Sequence, residues 1–337
     1  WKGREAAALM VDGQLEDLLI DADLPRPGGL YRAIVDRPVK GQGGVFLTTP
    51  DGSAFLRQVK GLSPGQAVLV QVTGYAEPGK AIPVTNRLLF KSRFAIVTPG
   101  APGINISRRI REDAIRDTVL EAAHEALSQT PLPEGAGLII RSSASGADAD
   151  EIAADVTAMA ALASQVLGDT EGEAELLVEG DGPHDIAWRE WSEPAQIETR
   201  GSFADHGIDV ELEALRAPLV RLGAGHSMLI EPTSALVAID VNTGGDTSPA
   251  AGLKANLAAV RDLPRQLRLR GLGGLIVIDP APIPKKDRRQ VETALRGGLK
   301  REATETILAG WTQLGLLEIQ RKRDRLALSR ILSGPGR

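Results

Sequence analysis

The segment from Leu236 to Asp279 constrains the fold more than any other part of the chain. Leu236–Val241 and Leu275–Asp279 are short runs rich in Val and Ile, bounded by glycines or turn residues, and both read as buried β-strands. Between them Leu253, Leu257, Val260, Leu263 and Leu267 recur at helical spacing over Leu253–Arg270. A strand–helix–strand unit implies two parallel strands joined by a crossover. Aligning VAID with VIVID puts Asp240 and Asp279 level with each other at C-terminal strand ends, where open α/β sheets hold their ligands. If the strands are neighbours, roughly 4.8 Å apart, both carboxylates face one side and can share a hard cation. Mg²⁺ suits such a pair, because it retains much of its water and takes one or two carboxylates with phosphate oxygens. The expected substrate is then a phosphate ester. An Asp at a strand end also commonly caps a loop, so spacing alone leaves both readings open.

The 337 residues allow two or three domains. Cysteine is absent, which excludes disulfides, zinc–thiolate sites and cysteine nucleophiles. A metal must be held by oxygen or histidine, and none of the four histidines pairs at metal-ligand spacing. There is no membrane-spanning run of apolar residues and no leader with a cleavage site, so the expectation is a cytoplasmic protein, with Trp1 suggesting a trimmed or altered start.

The net charge of −5 conceals a polarity along the chain. Residues 142–188 carry eleven acidic groups and no Lys or Arg, whereas 251–330 carry seventeen basic against eight acidic ones. The basic end is a candidate polyanion face, although an arginine-rich helix can also be merely solvated.

Two apolar runs flank Asp12–Gly13 within residues 4–20, a hairpin signal. Such a hairpin is too short to fold alone, so its sheet partners are expected elsewhere. Five short β-like runs follow, at Leu30–Val39, Gly43–Thr49, Ser53–Gln58, Ala67–Thr73 and Ala81–Leu89, and suggest a small barrel of the OB type. Six of the seven Phe and Tyr residues lie between 31 and 94. Phe46 and Phe55 flank the Pro50-Asp51-Gly52 turn, with Arg32, Arg37, Lys40 and Lys80 in the same region. Rings beside a basic groove are what single-strand binding needs, and filling the barrel core is the competing fate. Gly61-Leu-Ser63-Pro-Gly65 matches GxSxG but no helix follows it, so it reads as a turn.

Gly100–Arg109 reads as a glycine-rich loop ending in Arg108 and Arg109, followed by a helix to about Leu127 and a strand Gly137–Arg141 that runs into Ser142 and Ser143. A guanidinium and hydroxyls there could grip an anionic end group, or make ordinary surface ion pairs. An acidic, Ala-rich helix is expected over 148–167, then strands at Glu175–Val178, Ile186–Trp191 and Ile197–Arg200. A helix at Asp209–Leu222 and a strand at Ser227–Glu231 follow. Those strands are the expected partners of the N-terminal hairpin, and Trp188 and Trp191 are expected in the core. After Asp279, Pro280–Pro284 precedes a basic helix, Lys285–Arg301, then strands near Thr304–Leu308 and Leu314–Ile319, a basic tail, and a disordered end.

AIDVNTGG, ANLAAVRDLPRQLRLRGLGGLIVID and LGLLEI together resemble the catalytic core of the ribonuclease E/G family. GINISRRI and GLIIRSS resemble that family's 5′-end sensor, and the barrel its inserted S1 domain. The resemblance implies an α/β chain of several subdomains. They would be an RNase H-like domain (1–29 and 173–224) interrupted by an S1 (OB-fold) barrel (30–90) and a 5′-sensor region (91–172), then a DNase I-like catalytic subdomain (225–332) and a tail (333–337). It implies an endoribonuclease that cuts single-stranded RNA in processing or decay and senses a 5′-monophosphate. Carried over by residue, Asp240 and Asp279 would bind Mg²⁺, with Mn²⁺ as an alternative, and Asn242 would position the first carboxylate. Phe46, Phe55 and Lys80 would hold RNA near the scissile bond, and Arg108, Arg109, Arg141 and Ser142 would meet the 5′-phosphate.

The chain also departs from the family pattern. The zinc link between protomers is impossible without cysteine, so a homodimer would have to form without zinc. Gly244-Gly245-Asp246 and a shortened loop stand where the family has a basic residue and an acidic insertion. Asp279-Pro280-Ala281-Pro282-Ile283 replaces DFIDM, and Glu305 aligns with an expected arginine. Two other functions fit the same residues: an RNA-binding protein of this fold that does not cleave, and a phosphatase or nucleotide hydrolase built on the Asp pair.

Overall fold

The computed structural model describes residues 1–39, 43–199, 201 and 203–333. The chain divides into two compact units, one of residues 1–23 with 198–337 and one of residues 24–197.

The N-terminal hairpin joins β1 (Ala6–Val11) to antiparallel β2 (Gln14–Ile20). Asp12 and Gly13 both have positive φ, 49° and 78°, the backbone a tight two-residue hairpin turn demands. Among the described residues these strands pair with each other alone. The expected strand partners in 174–232 are therefore not found. A helix layer takes their place: Arg265 Nη1 donates to Leu15 O at 2.9 Å and Arg268 Nη2 to Glu16 O at 2.7 Å. Those arginines belong to the crossover helix, so side chains stitch the hairpin down where a sheet ladder was expected.

In the second unit, β3 (Leu30–Val39), β4 (Gly44–Thr49), β5 (Gly52–Arg57), β6 (Ala67–Val72) and β7 (Ile82–Thr85) follow the order β3-β4-β5-β7-β6, and β6 pairs back to β3. This is a closed five-stranded barrel of OB type with β5 and β7 parallel. Alternate residues Val45, Leu47, Ala54 and Leu56 point into its core. The GxSxG segment is the β5–β6 turn, where Gln66 N bonds Ser63 O at 3.1 Å. Lys40 lies outside the described residues.

A second sheet holds β8 (Phe90–Lys91), β9 (Ala95–Thr98), β10 (Gly103–Ile106) and β11 (Gly137–Ile140) in the order β10-β11-β9-β8. Helices α1 (Asp113–Gln129) and α2 (Ala149–Gly168) share its core. The middle of the expected loop 100–109 is thus strand β10, parallel to β11. Strand β12 (Glu175–Val178) joins the barrel sheet beside β3.

The strand expected at Ile186–Trp191 is helix α3 (Pro183–Glu190). Its signals are Pro183 at the start, Asp185 in the first turn and Arg189 in the last, each favourable at that helix end. Trp188 is 53% exposed rather than core, with the Arg93 guanidinium 4.0 Å from its ring centroid. No strand forms at 197–199, and Arg200 lies outside the described residues.

The first unit resumes with α4 (Ile208–Arg216), shorter than expected because β13 (Leu219–Gly223) begins after Pro218. With β14 (His226–Pro232), β15 (Val237–Asn242), β16 (Gly274–Asp279), β17 (Thr306–Trp311) and β18 (Leu317–Arg321) it builds a six-stranded sheet in the order β13-β14-β15-β16-β18-β17. Helices α5 (Ala251–Leu269) and α6 (Arg288–Leu299) cover one face, closing on Ile239, Ile276, Ile278 and Ile319. Each fully buried aliphatic side chain there contributes about 1.5–3 kcal/mol. The last two strands start later than expected because the hairpin turn occupies Thr312–Gly315, leaving Leu314 90% exposed. Ser333 ends a short helix, α7 (Leu328–Ser333), and residues 334–337 lie outside the described set.

Candidate active site

Strands β15 and β16 are adjacent and parallel, and their register pairs Asp240 directly with Asp279. Burial alternates along both: Ile239 and Ile278 face the helices, while Asp240 and Asp279 are exposed on the opposite side. The period-two pleat therefore puts both carboxylates on the uncovered face. Asn242, two residues on, shares that face and donates from Nδ2 to Asp240 Oδ2 at 2.7 Å. That bond fixes one carboxylate oxygen and leaves Oδ1 with no bonded partner among the described residues.

Several groups that sequence reading did not place lie at this edge. Glu318 of β18 pairs with Val277, one pleat from Asp279 and on the same face. His226 opens β14, its Nδ1 3.2 Å from Thr243 O and its Nε2 3.8 Å from Asp246 Oδ2. Lys254 Nζ also stands 3.8 Å from Asp246. The backbone N–H and hydroxyl of Ser248 hold the Asp246 carboxyl below its ordinary range, and Lys254 and His226 add to this. The signal for this cluster was the β14–β15 hairpin, whose register sets Ser227 opposite Asn242 and carries His226 to Thr243. Gly244, in the shortened loop, has φ +57°, and a Cβ there would lie 2.2 Å from Gly225 O. A glycine at 244 is thus demanded by close backbone contact.

The donor set fits a hard cation, since it is oxygen only, level and open to solvent. Among the described residues no group of three or more His, Cys, Asp or Glu forms a metal cage, so water and substrate oxygens would have to complete any coordination. Glu305 lies just before β17, where its carbonyl accepts from Lys322 N at 3.0 Å.

In the other unit, Phe46 and Phe55 are cross-strand partners on β4 and β5, ring centroids 5.2 Å apart and tilted 48°. Both are half-buried on the outer side of the barrel, alternating with the core residues, so they do not fill its interior. The Arg37 guanidinium lies 5.5 Å from the Phe46 centroid. Lys80 is exposed in a loop and paired with Glu77. Arg32 is unavailable to a ligand: it is buried between Asp169 and Glu175 and donates to Glu173 O at 2.8 Å.

The parallel pairing of β10 with β11, and Ser107 N bonded to Ile140 O at 2.8 Å, bring the Arg108–Arg109 segment beside Arg141–Ser142. The side chains then diverge. Arg108 and Arg109 are exposed. Arg141 turns inward, donating to Ser92 O at 2.6 Å and Arg93 O at 3.2 Å, and pairing with Glu190 at 2.8 Å. Burial pushes the Glu190 carboxyl up, but hydrogen bonds from Lys91 and Arg189, with the charges of Lys91 and Arg141, reverse this and bring it to about 2.

The model of the Ribonuclease E/G family matches residues 90–195 and 184–324. This chain belongs to the ribonuclease E/G family. Ribonuclease E of Synechocystis is 26% identical over 98% of the chain and 57% of that relative. Ribonuclease G of Escherichia coli K12 is 29% identical over 85% of the chain and 64% of the relative. The chain spans little more than half the length of the ribonuclease E relatives it matches from Synechocystis and Nostoc. No helix among the described residues is long and apolar enough to cross a membrane.

Proposed function

We propose that this ribonuclease E/G family member is a metal-dependent endoribonuclease acting on single-stranded RNA in processing or decay in the cytoplasm. The observation that carries the reading is the direct pairing of Asp240 with Asp279 on the open sheet face, with Asn242 bonded to the first carboxylate. Two carboxylates by themselves repel a phosphodiester, so the pair becomes a phosphate site only when a cation lies between them. Asp240 and Asp279 would hold Mg²⁺ or Mn²⁺, which supplies charge for the scissile phosphate and a more acidic water. Asn242 keeps Asp240 in one rotamer, and the uncovered sheet face admits an extended strand of RNA. Water as nucleophile, with no protein adduct, leaves a 5′-phosphate and a 3′-hydroxyl.

The barrel serves as an S1-type RNA-binding domain, with Phe46 and Phe55 stacking on bases and Lys80 meeting the backbone. Arg108, Arg109 and Ser142 receive a 5′-monophosphate, and Arg141 supports that site from behind through its backbone contacts. A homodimer would use contacts other than a zinc link.

The test compares cleavage of a short single-stranded RNA bearing a 5′-monophosphate or a 5′-hydroxyl, in Mg²⁺ or EDTA, by the wild type and Asp279→Asn. Internal cutting that needs the metal, runs faster on the monophosphate and falls at least about 100-fold in the variant is expected. RNA binding without cutting would replace this reading with that of a non-cleaving RNA-binding protein. Turnover of small phosphate esters alone would favour a phosphatase.

A further inference from the structure

The basic stretch from 251 to 330 separates, in the folded chain, into two sets of cations. Most of its buried or half-buried arginines are committed to the structure. Arg265 pairs with Asp262 at 2.7 Å, Arg270 donates to Leu215 O and Ala217 O at 2.7 and 2.9 Å, and Arg321 meets Glu302 at 2.8 Å. Arg268 is bonded to Glu16 and Glu302, and Arg325 to Asp17. Arg261, Lys286 and Arg289 differ. They are exposed and have no acidic partner among the described residues.

These three meet in one place. Asn256 of α5 is tied to Ala281, ahead of α6, by two hydrogen bonds of 2.8 and 2.9 Å. Near the other end Gly298 lets α6 approach α5, since a Cβ there would lie 3.0 Å from Pro264 Cγ. Between these ties runs a groove of about 490 Å³. Leu257 and Arg261, four residues apart, form its α5 wall, and Lys286, Arg289, Gln290 and Thr293 form a stripe at helical spacing on the α6 side. The groove thus combines uncompensated cations, the Gln290 amide and a short apolar floor at Leu257 and Ala294, the Thr293 hydroxyl being spent on Arg289 O at 2.8 Å.

We propose that this groove is a second RNA site, binding the phosphate backbone of a single strand at a distance from the carboxylate pair; this rests on the RNA-cleaving reading above. The helices lie on the sheet face opposite Asp240 and Asp279. A helix layer is about 10–12 Å across, so a nucleotide seated at the carboxylates cannot reach the groove. RNA long enough to pass around the sheet edge engages both, and the groove raises affinity through a linked second contact. Its occupant is a nucleic-acid backbone rather than an acidic peptide because cations stand on both sides, Arg261 on α5 and Lys286 and Arg289 opposite, while the apolar floor is too small to anchor a peptide's side chains.

The test uses the whole chain with Arg261→Gln, Lys286→Gln and Arg289→Gln combined, and follows fluorescence anisotropy of 6- and 30-nucleotide single-stranded RNAs across a salt series. The expected result is affinity for the long RNA lowered at least about tenfold, with the log–log salt slope reduced by about 2, as three lost phosphate contacts require. Affinity for the short RNA, its metal-dependent cleavage and the melting temperature stay at wild-type values. Unchanged long-RNA affinity in the variant, or equal loss for both lengths, overturns the groove while leaving the carboxylate site standing. Competition by polyglutamate as effective as that by RNA also overturns it, by showing a general polyanion surface. Absence of RNA binding by the wild type overturns both this proposal and the reading on which it rests.

Discussion

Asn242 restrains Asp240 from two residues along the same strand, its Nδ2 2.7 Å from Oδ2. Because both side chains are exposed on the uncovered face, the bond serves the carboxylate's orientation rather than the core. Asn242→Ala is expected to lower metal-dependent cleavage about 10–100-fold, raise the metal concentration needed for half-maximal rate, and change stability by less than about 0.5 kcal/mol. Cleavage assays over a Mg²⁺ titration, beside thermal melts, read both.

Phe46 and Leu56 test the two sides of the barrel wall. Phe46→Ala removes an outward half-buried ring and should weaken single-stranded RNA binding by about 1–3 kcal/mol with little change in melting temperature. Leu56→Ala opens a cavity in the barrel core and should cost about 2–5 kcal/mol of stability. The reverse pattern in anisotropy and calorimetry would place Phe46 in a structural role.

Glu190 gives the second unit an acid-sensitive tie. Its folded carboxyl titrates at about 2 against an ordinary 4.5, so the folded state binds its proton more weakly than the unfolded chain does. The stabilisation is therefore complete above about pH 4.5 and is lost as pH falls toward 2. The side chain is 27% exposed, and solvent screening reduces the contribution to the order of 1–2 kcal/mol. Glu190→Gln should lower the melting temperature at pH 7 and flatten its fall between pH 4.5 and 2, as followed by circular dichroism.

Arg109 and Arg141 sit at neighbouring strand ends but should behave oppositely. Arg141 binds Ser92 O, Arg93 O and Glu190, so Arg141→Gln is expected to cost about 1–3 kcal/mol of stability. Arg109→Gln should leave stability unchanged and reduce the preference for a 5′-monophosphate over a 5′-hydroxyl. Equal preference ratios for wild type and Arg109→Gln would remove Arg109 from the proposed 5′-phosphate site.

The sequence by itself determined the parallel strand–helix–strand unit, the level of Asp240 with Asp279, the barrel strands and the Asp12–Gly13 turn. Each is written in local periodicity or turn chemistry, which survives without knowledge of distant partners. Only the tertiary structure decided which charges are free. Arg268 and Arg261 belong to one helix, and their spacing does not reveal that one is spent on Glu16 and Glu302 while the other faces solvent. The same limit applies to Arg141, to Trp188 and to the N-terminal hairpin, whose tie to α5 joins residues about 250 positions apart. An ion pair between distant elements depends on where whole layers come to rest, and a residue's type does not encode its partner.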